Sequence, residues 1–513
     1  MRRGRGQAIL INLVVLTVSS LALQGIGVVF QVFLVGKIGA AGIGLFQLVN
    51  SVYLLATTVA ASGVRFATTR LAAEELGRGS HYGAYKAVGR CMVYAMIFSL
   101  TTTVVLLGTA TRIAQGWIGD GRTALSLRIL ALSLPFFAGS AVLGGFFTAI
   151  QQMVPAAVVQ VLGQLVRIGV TVGALLLPAT QGLEYSCAAI VLGTLAGEVF
   201  SCLVLGGFYV ANLRRNRVPQ APTHRLTLRL LGIALPIAIS AYARTALSTL
   251  QQMLTPRGFR KSGASGEAAL ATYGIIHGMV FPILFLPSAS MGVMAQLIVP
   301  ELTESQVAGR TVRIDYIVNR VFRMGLFFAT GVAGVLFFYA GELGQLIYNN
   351  PQAGSYLRLF APLAVIMYLD TLVDGMLKGL GKQVDSMGIN ILDALTGVVL
   401  VYLLLPRYAI GGYVFAVFFT EILNFSLSLA RLLSITNLQP RFWVQVRAVC
   451  CVLFARSATI LLLPDTLWGG SAAALALRMG LTVLLYLLGL FLTDCLTRED
   501  FRWFRSLVRG TGG

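Results

Sequence analysis

Three arginines interrupt otherwise apolar stretches of this sequence: Arg65, Arg167 and Arg244. A planar guanidinium stays charged when partly buried and makes bidentate contacts to phosphate oxygens. The set therefore fits a cationic cavity that binds an anionic, phosphate-bearing ligand. Carboxylates interrupt other apolar stretches, namely Glu198, Asp370, Asp374, Asp393 and Glu421. Asp370 and Asp374 are four residues apart and share one helix face, where mutual repulsion would favour uptake of a proton or a cation. His277, the one histidine within an apolar stretch, adds a candidate proton carrier, and together these groups form a candidate ion-coupling set. Each has a plainer reading beside the functional one. Arg167 with Glu198, or Arg244 with an acid of the second half, would form buried pairs that fix helix packing. His277 would be a satisfied packing residue, and Arg128, Arg456 and Arg478 would snorkel to an interface.

Other chemistries find no residues to carry them. Gly375-Met-Leu-Lys-Gly-Leu-Gly-Lys-Gln383 has the wrong spacing for a phosphate-binding loop and ends in Gln where Ser or Thr would hold magnesium. There is no Gly-x-Ser-x-Gly elbow and no His-Glu-x-x-His helix. Six cysteines (Cys91, Cys187, Cys202, Cys450, Cys451, Cys495) fall in or beside apolar stretches without CxxC spacing, and three histidines are too few to complete a metal site. The cysteines read as packing residues. The sequence therefore predicts a transporter rather than an enzyme, with no catalytic residue, metal or cofactor.

The elements that would position these charges are spanning helices. Of 513 residues 57% are hydrophobic and 11% charged, where a soluble domain carries about a quarter charged residues. The mean hydropathy is +0.82. A helix crossing hydrocarbon needs roughly 20 apolar residues, and cutting at polar, Gly and Pro punctuation gives about fourteen segments. They are 8–36, 43–66, 90–110, 125–149, 156–177, 185–210, 228–255, 269–299, 320–340, 356–377, 385–405, 409–433, 444–463 and 469–496. The first, preceded by Arg2, Arg3 and Arg5, is too long for a signal-peptide core and reads as an uncleaved span.

The charge is lopsided, 39 Lys and Arg against 19 Asp and Glu. An even number of spans puts both termini on one side, and about 25 of the basic residues then fall in cytoplasmic segments against about 8 on the opposite side, as the positive-inside rule requires. The arginines occupy short gaps rather than one solvated domain, which speaks against nucleic acid as a partner. The longest such gap, from about Ala211 to Arg229, holds Arg-Arg-Asn-Arg-Val-Pro-Gln-Ala-Pro and divides the first twelve spans into sets of six. The expected organisation is an N-terminal six-helix lobe at 1–210, a basic cytoplasmic linker at 211–229, a second six-helix lobe at 230–435, and two further helices with a basic tail at 436–513. Gly44-Leu-Phe-Gln47 resembles Gly274-Ile-Ile-His277, and Ala149-Ile-Gln-Gln152 takes the place of Gly379-Leu-Gly-Lys382. Both pairs are offset by roughly 230 residues, as a parallel duplication of six spans would give. Pro135 and Pro362 sit at matching places in the two sets and are plausible hinge points or static kinks. Gln24 with Gln31, and Gln47 with Asn50, form polar stripes that either line a path or bond neighbouring helices.

Ordered motifs resemble the MOP flippase superfamily, specifically the polysaccharide biosynthesis and stage V sporulation protein B family, related to lipid II flippases and MATE exporters. They are Ala61-Ser-Gly-Val-Arg-Phe-Ala-Thr-Thr-Arg-Leu-Ala-Ala-Glu-Glu75, Gly145-Phe-Phe-Thr-Ala-Ile-Gln-Gln-Met-Val-Pro155, Gln160-Val-Leu-Gly-Gln-Leu-Val-Arg167, Leu230-Leu-Gly-Ile-Ala-Leu-Pro236, Tyr273-Gly274 followed by Leu286-Pro287, Leu377-Lys-Gly-Leu-Gly-Lys382 and Leu496-Thr-Arg-Glu-Asp500. The resemblance implies an all-α fold of two pseudo-symmetric six-helix bundles around a central cavity, plus two C-terminal helices. It also implies alternating access that carries an undecaprenyl diphosphate-linked oligosaccharide or peptidoglycan precursor outward across the bacterial cytoplasmic membrane. The implied partners are that lipid-linked anionic glycan, membrane lipids and envelope-synthesis enzymes; sporulation is a further implied context. Arg167 falls on the family's arginine at the end of the span-five motif. The family commonly has Ile-Pro where this chain has Val64-Arg65, and a glutamate where it has Gly163. Asp393, at the repeat-related position, is expected to replace that carboxylate. The alternative within the same superfamily is a MATE-type proton- or sodium-coupled drug or cation exporter, with the acidic residues as its working site.

Overall fold

In a computed structural model, residues 2–61, 63–78, 80–177, 182–215, 226–438, 442–464 and 471–496 are described, and among them every regular element is helical. The helices are α1 (Arg2–Ala61), α2 (Val64–Gly77), α3 (His81–Arg112), α4 (Thr123–Ala149), α5 (Met153–Leu175), α6 (Leu183–Arg215), α7 (Leu226–Lys261), α8 (Gly266–Ile275), α9 (Phe281–Val307), α10 (Thr311–Phe338), α11 (Ala340–Tyr348), α12 (Pro351–Phe360), α13 (Leu363–Gly379), α14 (Gln383–Leu433), α15 (Phe442–Leu462) and α16 (Ala472–Leu492). Short π-helical turns follow α3 (Ile113–Ile118) and α8 (Ile276–Val280).

Eleven of the described helical stretches are long and apolar enough to cross a membrane. The pair α12 and α13, bent by 55°, makes a twelfth. The two longest helices, α1 and α14, are each long enough for two crossings. At 1.5 Å per residue, the 60 residues of α1 and the 51 of α14 would far exceed the roughly 30 Å of hydrocarbon. Each is broken by a residue with left-handed φ, Gly39 (φ 68°) in α1 and Ala409 (φ 47°) in α14. Dividing them there gives the fourteen segments expected from the sequence. The bend between α12 and α13 falls at Ala361-Pro362, where the proline withholds an N–H from the helical ladder and its ring crowds the preceding turn, although Ala361 itself keeps helical dihedrals (φ −54°, ψ −41°). Pro135, its expected counterpart, lies inside an unbroken α4.

The chain forms two compact units. The first comprises Met1–Ile26 and Ile38–Ala271; the second comprises Gly27–Lys37 and Thr272–Gly513. In the first, α2, α3 and α4 close around Val64, Leu71, Ala84, Val88, Phe146 and Phe147, and Leu230 and Ala234 of α7 join this core. Gly63 precedes α2 with φ 73° because a Cβ there would lie 2.6 Å from the Ala234 carbonyl oxygen. Further along α7, Tyr242 donates to the Val59 carbonyl (3.2 Å) and Thr249 to that of Ser51 (3.2 Å). The helix after the basic linker is thus anchored to the first unit. In the second unit, Gln31 of α1 donates to the Gly278 carbonyl (3.0 Å). α15 and α16 pack on α10 around Phe327, Ala448, Tyr486 and Leu490, with the Tyr486 hydroxyl donating to the Phe327 carbonyl (2.8 Å).

The two units repeat one contact. Thr69 of α2 donates to the carbonyl of Gly145 in α4 at 3.0 Å, and Thr303 of α9 donates to that of Gly379 in α13 at 2.8 Å. Both pairs are separated by 76 residues.

Candidate functional site

Arg167 is positioned by glycines. α5 and α6 approach so closely that a Cβ at Gly193 would lie 2.0 Å from Thr171 Oγ1 and 2.5 Å from the Arg167 carbonyl oxygen, and one at Gly197 would lie 3.2 Å from Arg167 Cβ. Small residues permit such backbone contact between membrane helices. The approach brings Glu198 of α6 and the Tyr53 hydroxyl within electrostatic reach of the Arg167 guanidinium. Tyr53 is itself held by Ser133, whose Oγ lies 2.9 Å from the phenol oxygen. No hydrogen bond or ion pair within 4 Å joins Arg167 to Glu198, and Arg167 Nε is enclosed without a partner among the described residues. The pair is therefore a poised charge and counter-charge rather than a closed salt bridge.

At Gly163, one helical turn before Arg167, a Cβ would lie 2.3 Å from Ser201 Oγ, so any side chain there requires that hydroxyl to turn away. A carboxylate within electrostatic reach of Arg167 comes from α6, through Glu198.

Arg65 and Arg244 are placed differently. Arg65 is exposed in the first turn of α2, beyond the helix break at Gly63, with its guanidinium 3.9 Å from where a Gly144 Cβ would stand. Arg244 is exposed at the midpoint of α7, beside the contact of Thr245 with Thr58 (3.5 Å), and has no ion pair among the described residues. None of the three arginines contacts another directly.

The acidic residues divide. Asp370 of α13 accepts from Asn424 Nδ2 (3.2 Å), and Asp393 and Glu421, on opposite sides of the α14 break, lie within electrostatic reach of one another, as do Glu421 and Asp370. Asp374, one turn from Asp370, is drawn to Lys378 and to Ser386 Oγ. The shared helix face therefore does not make a working pair. His277 lies in the second π-helical turn. Its Nε2 is 2.8 Å from the Tyr413 hydroxyl, and its ring packs on Tyr273 (4.4 Å) and Phe281 (4.9 Å). No cluster of His, Cys, Asp or Glu suited to a metal ion occurs among the described residues.

A charge network at one end of the first unit was not singled out from sequence. Arg229 at the start of α7 pairs with Glu74 and Glu75 of α2, and Arg78 reaches Glu75 Oε1 at 3.0 Å. Its signal in the sequence was the doublet Glu74-Glu75 inside an otherwise basic segment.

Spanning helices in two units with a duplicated contact, and ionisable groups set within them, define a membrane transporter. The chain belongs to the polysaccharide biosynthesis protein family, whose model matches residues 9–283, and a MatE model matches residues 261–403. Stage V sporulation protein B of Bacillus subtilis (strain 168) is 25% identical over 410 residues, 79% of each chain. Lipid II flippase MurJ of the same organism is 22% identical over 399 residues, 72% of each. Among solved structures, lipid II flippase MurJ in an inward closed conformation matches with a TM-score of 0.70 at 12% identity, covering 93% of this chain and 98% of that one. An inward-facing multidrug resistance MATE family transporter of the MOP superfamily matches with a TM-score of 0.61 at 15% identity, covering 82% and 98%. The fold is that of the MOP superfamily, a group of transporters rather than enzymes.

Proposed function

We propose that the protein is an alternating-access flippase that moves an undecaprenyl diphosphate-linked oligosaccharide or peptidoglycan precursor outward across the cytoplasmic membrane, with both termini in the cytoplasm. In this reading residues 1–210 and 230–435 act as the two lobes, joined by the basic linker 211–229 and followed by the extra helices of 436–513. The observation that carries it is Arg244, exposed in the middle of an apolar helix and without an ion pair among the described residues. An arginine at mid-membrane costs about 2.5–3.5 kcal/mol on insertion scales, a cost offset when it meets a diphosphate that Arg can grip bidentately. Arg167, with a counter-charge held near but not closed upon it, and Arg65 at the mouth of α2 extend the same cationic path. The similarity to lipid II flippase MurJ supports a lipid-linked glycan, and envelope-synthesis enzymes would supply it.

The test is complementation of a flippase-depleted bacterium, with membrane expression verified and precursor counted on each leaflet. Wild type restores flipping, Arg244→Ala lowers the rate about tenfold or more, and Arg244→Lys retains an intermediate rate. Full activity in Arg244→Ala, or failure of the wild type to rescue, sinks the reading.

A second reading, a proton- or sodium-coupled exporter of drugs or cations, is favoured by the MatE match over the segment that holds Asp370, Asp374 and Asp393. It predicts dye efflux that depends on a cation gradient and is abolished in Asp393→Asn. Gradient-independent behaviour of both proteins removes it.

A further inference from the structure

The end of the first unit opposite the Arg229 network is also basic. From Arg229 to Arg260 α7 rises about 46 Å, more than the roughly 30 Å of hydrocarbon, so its two ends lie in opposite interfacial layers. Arg112, Arg122, Arg257, Arg260 and Lys261 gather at the far end, most of the about 8 basic residues that the topology assigns to the non-cytoplasmic side. Positive charge is sparse on that side in most membrane proteins, so this concentration calls for a local cause.

The last turns of α7 reach across to the turn between α3 and α4. Arg257 Nη2 donates to the Gly116 carbonyl. The Arg260 guanidinium is clasped between two glycines, with Nη1 3.2 Å from where a Gly119 Cβ would stand and Nε 3.7 Å from that of Gly266. Gly119 itself has φ 80°. Arg260 Nε has no partner among the described residues. The acids at this end are Asp120, Glu184 and Glu267. Asp120 is engaged by Arg122, whose Nη2 lies 2.6 Å and Nε 3.0 Å from its oxygens, and stands within electrostatic reach of Arg260, so one carboxylate serves two guanidinium groups. Trp117 and Tyr185, 53% and 52% exposed, flank the cluster as aromatic residues do at the level of lipid headgroups.

We propose that Arg257 and Arg260, braced by the Arg122–Asp120 pair, bind the phosphate of a lipid headgroup at the non-cytoplasmic end of the first unit. The clasp fixes a guanidinium with donors to spare at headgroup depth, and a phosphodiester offers the paired oxygens that such a donor fork fits. The assignment of side, but not the site itself, rests on the topology of the proposed function.

The experiment uses the purified full-length chain in detergent, with native mass spectrometry of bound phosphatidylglycerol, diacylglycerol as the phosphate-free control, and inorganic phosphate as competitor. Wild type retains phosphatidylglycerol at least about tenfold better than Arg257→Ala/Arg260→Ala, the double Lys variant falls between, and diacylglycerol is not retained. Arg260→Gln, which keeps a polar side chain but removes the charge, serves as a second variant if the double one does not fold, with size exclusion and thermal unfolding as checks, and it also loses phosphatidylglycerol. Equal retention by the folded variants overturns the site, and displacement of the lipid by millimolar inorganic phosphate overturns the lipid as its ligand. A chain that fails to rescue flipping yet holds phosphatidylglycerol through these arginines loses the flippase reading and keeps this one; the converse result does the reverse.

Discussion

Arg229 Nη1 lies 2.9 Å from Oε1 of Glu75, a carboxylate only 5% exposed at the C-terminal turn of α2. The contact ties the first residues of α7, directly after the basic linker, to a helix more than 150 positions earlier. Removing the arginine leaves Glu75 buried with Arg78 as its remaining charged partner. Arg229→Ala is expected to destabilise the protein by about 1–3 kcal/mol, and Glu75→Gln to remove most of that penalty in a double-mutant cycle. Detergent-solubilised unfolding curves measure it, and additive single effects would show that the pair does not couple.

The α5–α6 contact sets a second expectation. Gly193→Ala places a methyl group 2.0 Å from Thr171 Oγ1 and 2.5 Å from a backbone oxygen, whereas Gly207, in the same helix, has nothing within 4 Å of its Cβ position. Overpacking costs about 1–3 kcal/mol, while glycine to alanine in an open helical site gains up to about 1 kcal/mol. Thermal unfolding midpoints should therefore fall for Gly193→Ala and stay level or rise for Gly207→Ala. Transport by Gly193→Ala should fall too, because the substitution pushes Arg167 and Glu198 apart.

Hydrogen bonds from Arg122 hold the Asp120 carboxyl below the usual carboxylate range, with Arg260 adding to the effect. A carboxylate with a depressed folded value contributes stability that is present above its unfolded value of about 3.9 and is lost as pH falls through the folded one. Acid unfolding of wild type should steepen below about pH 4. Asp120→Asn should flatten that limb and leave stability near neutrality lower. Superimposable pH profiles would show that Asp120 carries none of the acid sensitivity.

Ala409 turns α14 with φ 47°, a region costly for any residue with a Cβ. Ala409→Gly is expected to stabilise the protein by about 1 kcal/mol, read as a higher unfolding midpoint with transport unchanged. A loss of stability would mean that the methyl group packs more favourably than the backbone is strained.

The spanning helices were legible in the sequence because their signal is a sum over some twenty residues, and a misplaced boundary barely alters it. The fourteen segments followed from that, and so did two of the breaks: the gaps 37–42 and 406–408 between expected spans enclose Gly39 and adjoin Ala409, where α1 and α14 divide. The turn at Gly63 did not. Arg65 was placed in span two because the apolar pattern runs through Ser62-Gly63 without a gap, yet the helix stops at Ala61. The site charges could be nominated but not paired. That Glu198 comes within electrostatic reach of Arg167, and that Asp374 turns to Lys378, depends on which helix faces meet, and a single sequence does not state that.

The threonine-to-glycine clasp, made once by Thr69 and once by Thr303, fastens two helices without the bulk of a large side chain between them. The helices α4 and α13 end 230 residues apart in the sequence, whereas the two clasps lie 234 apart, so the same kind of joint is made one helical turn further along in the second unit. The charges set within the helices differ between the units: Arg167 in α5 and Arg244 in α7 of the first, Asp370 and Asp374 in α13 with Asp393 and Glu421 in α14 of the second. A joint that needs only one hydroxyl and one carbonyl leaves the remaining faces of its helices free to carry either sign.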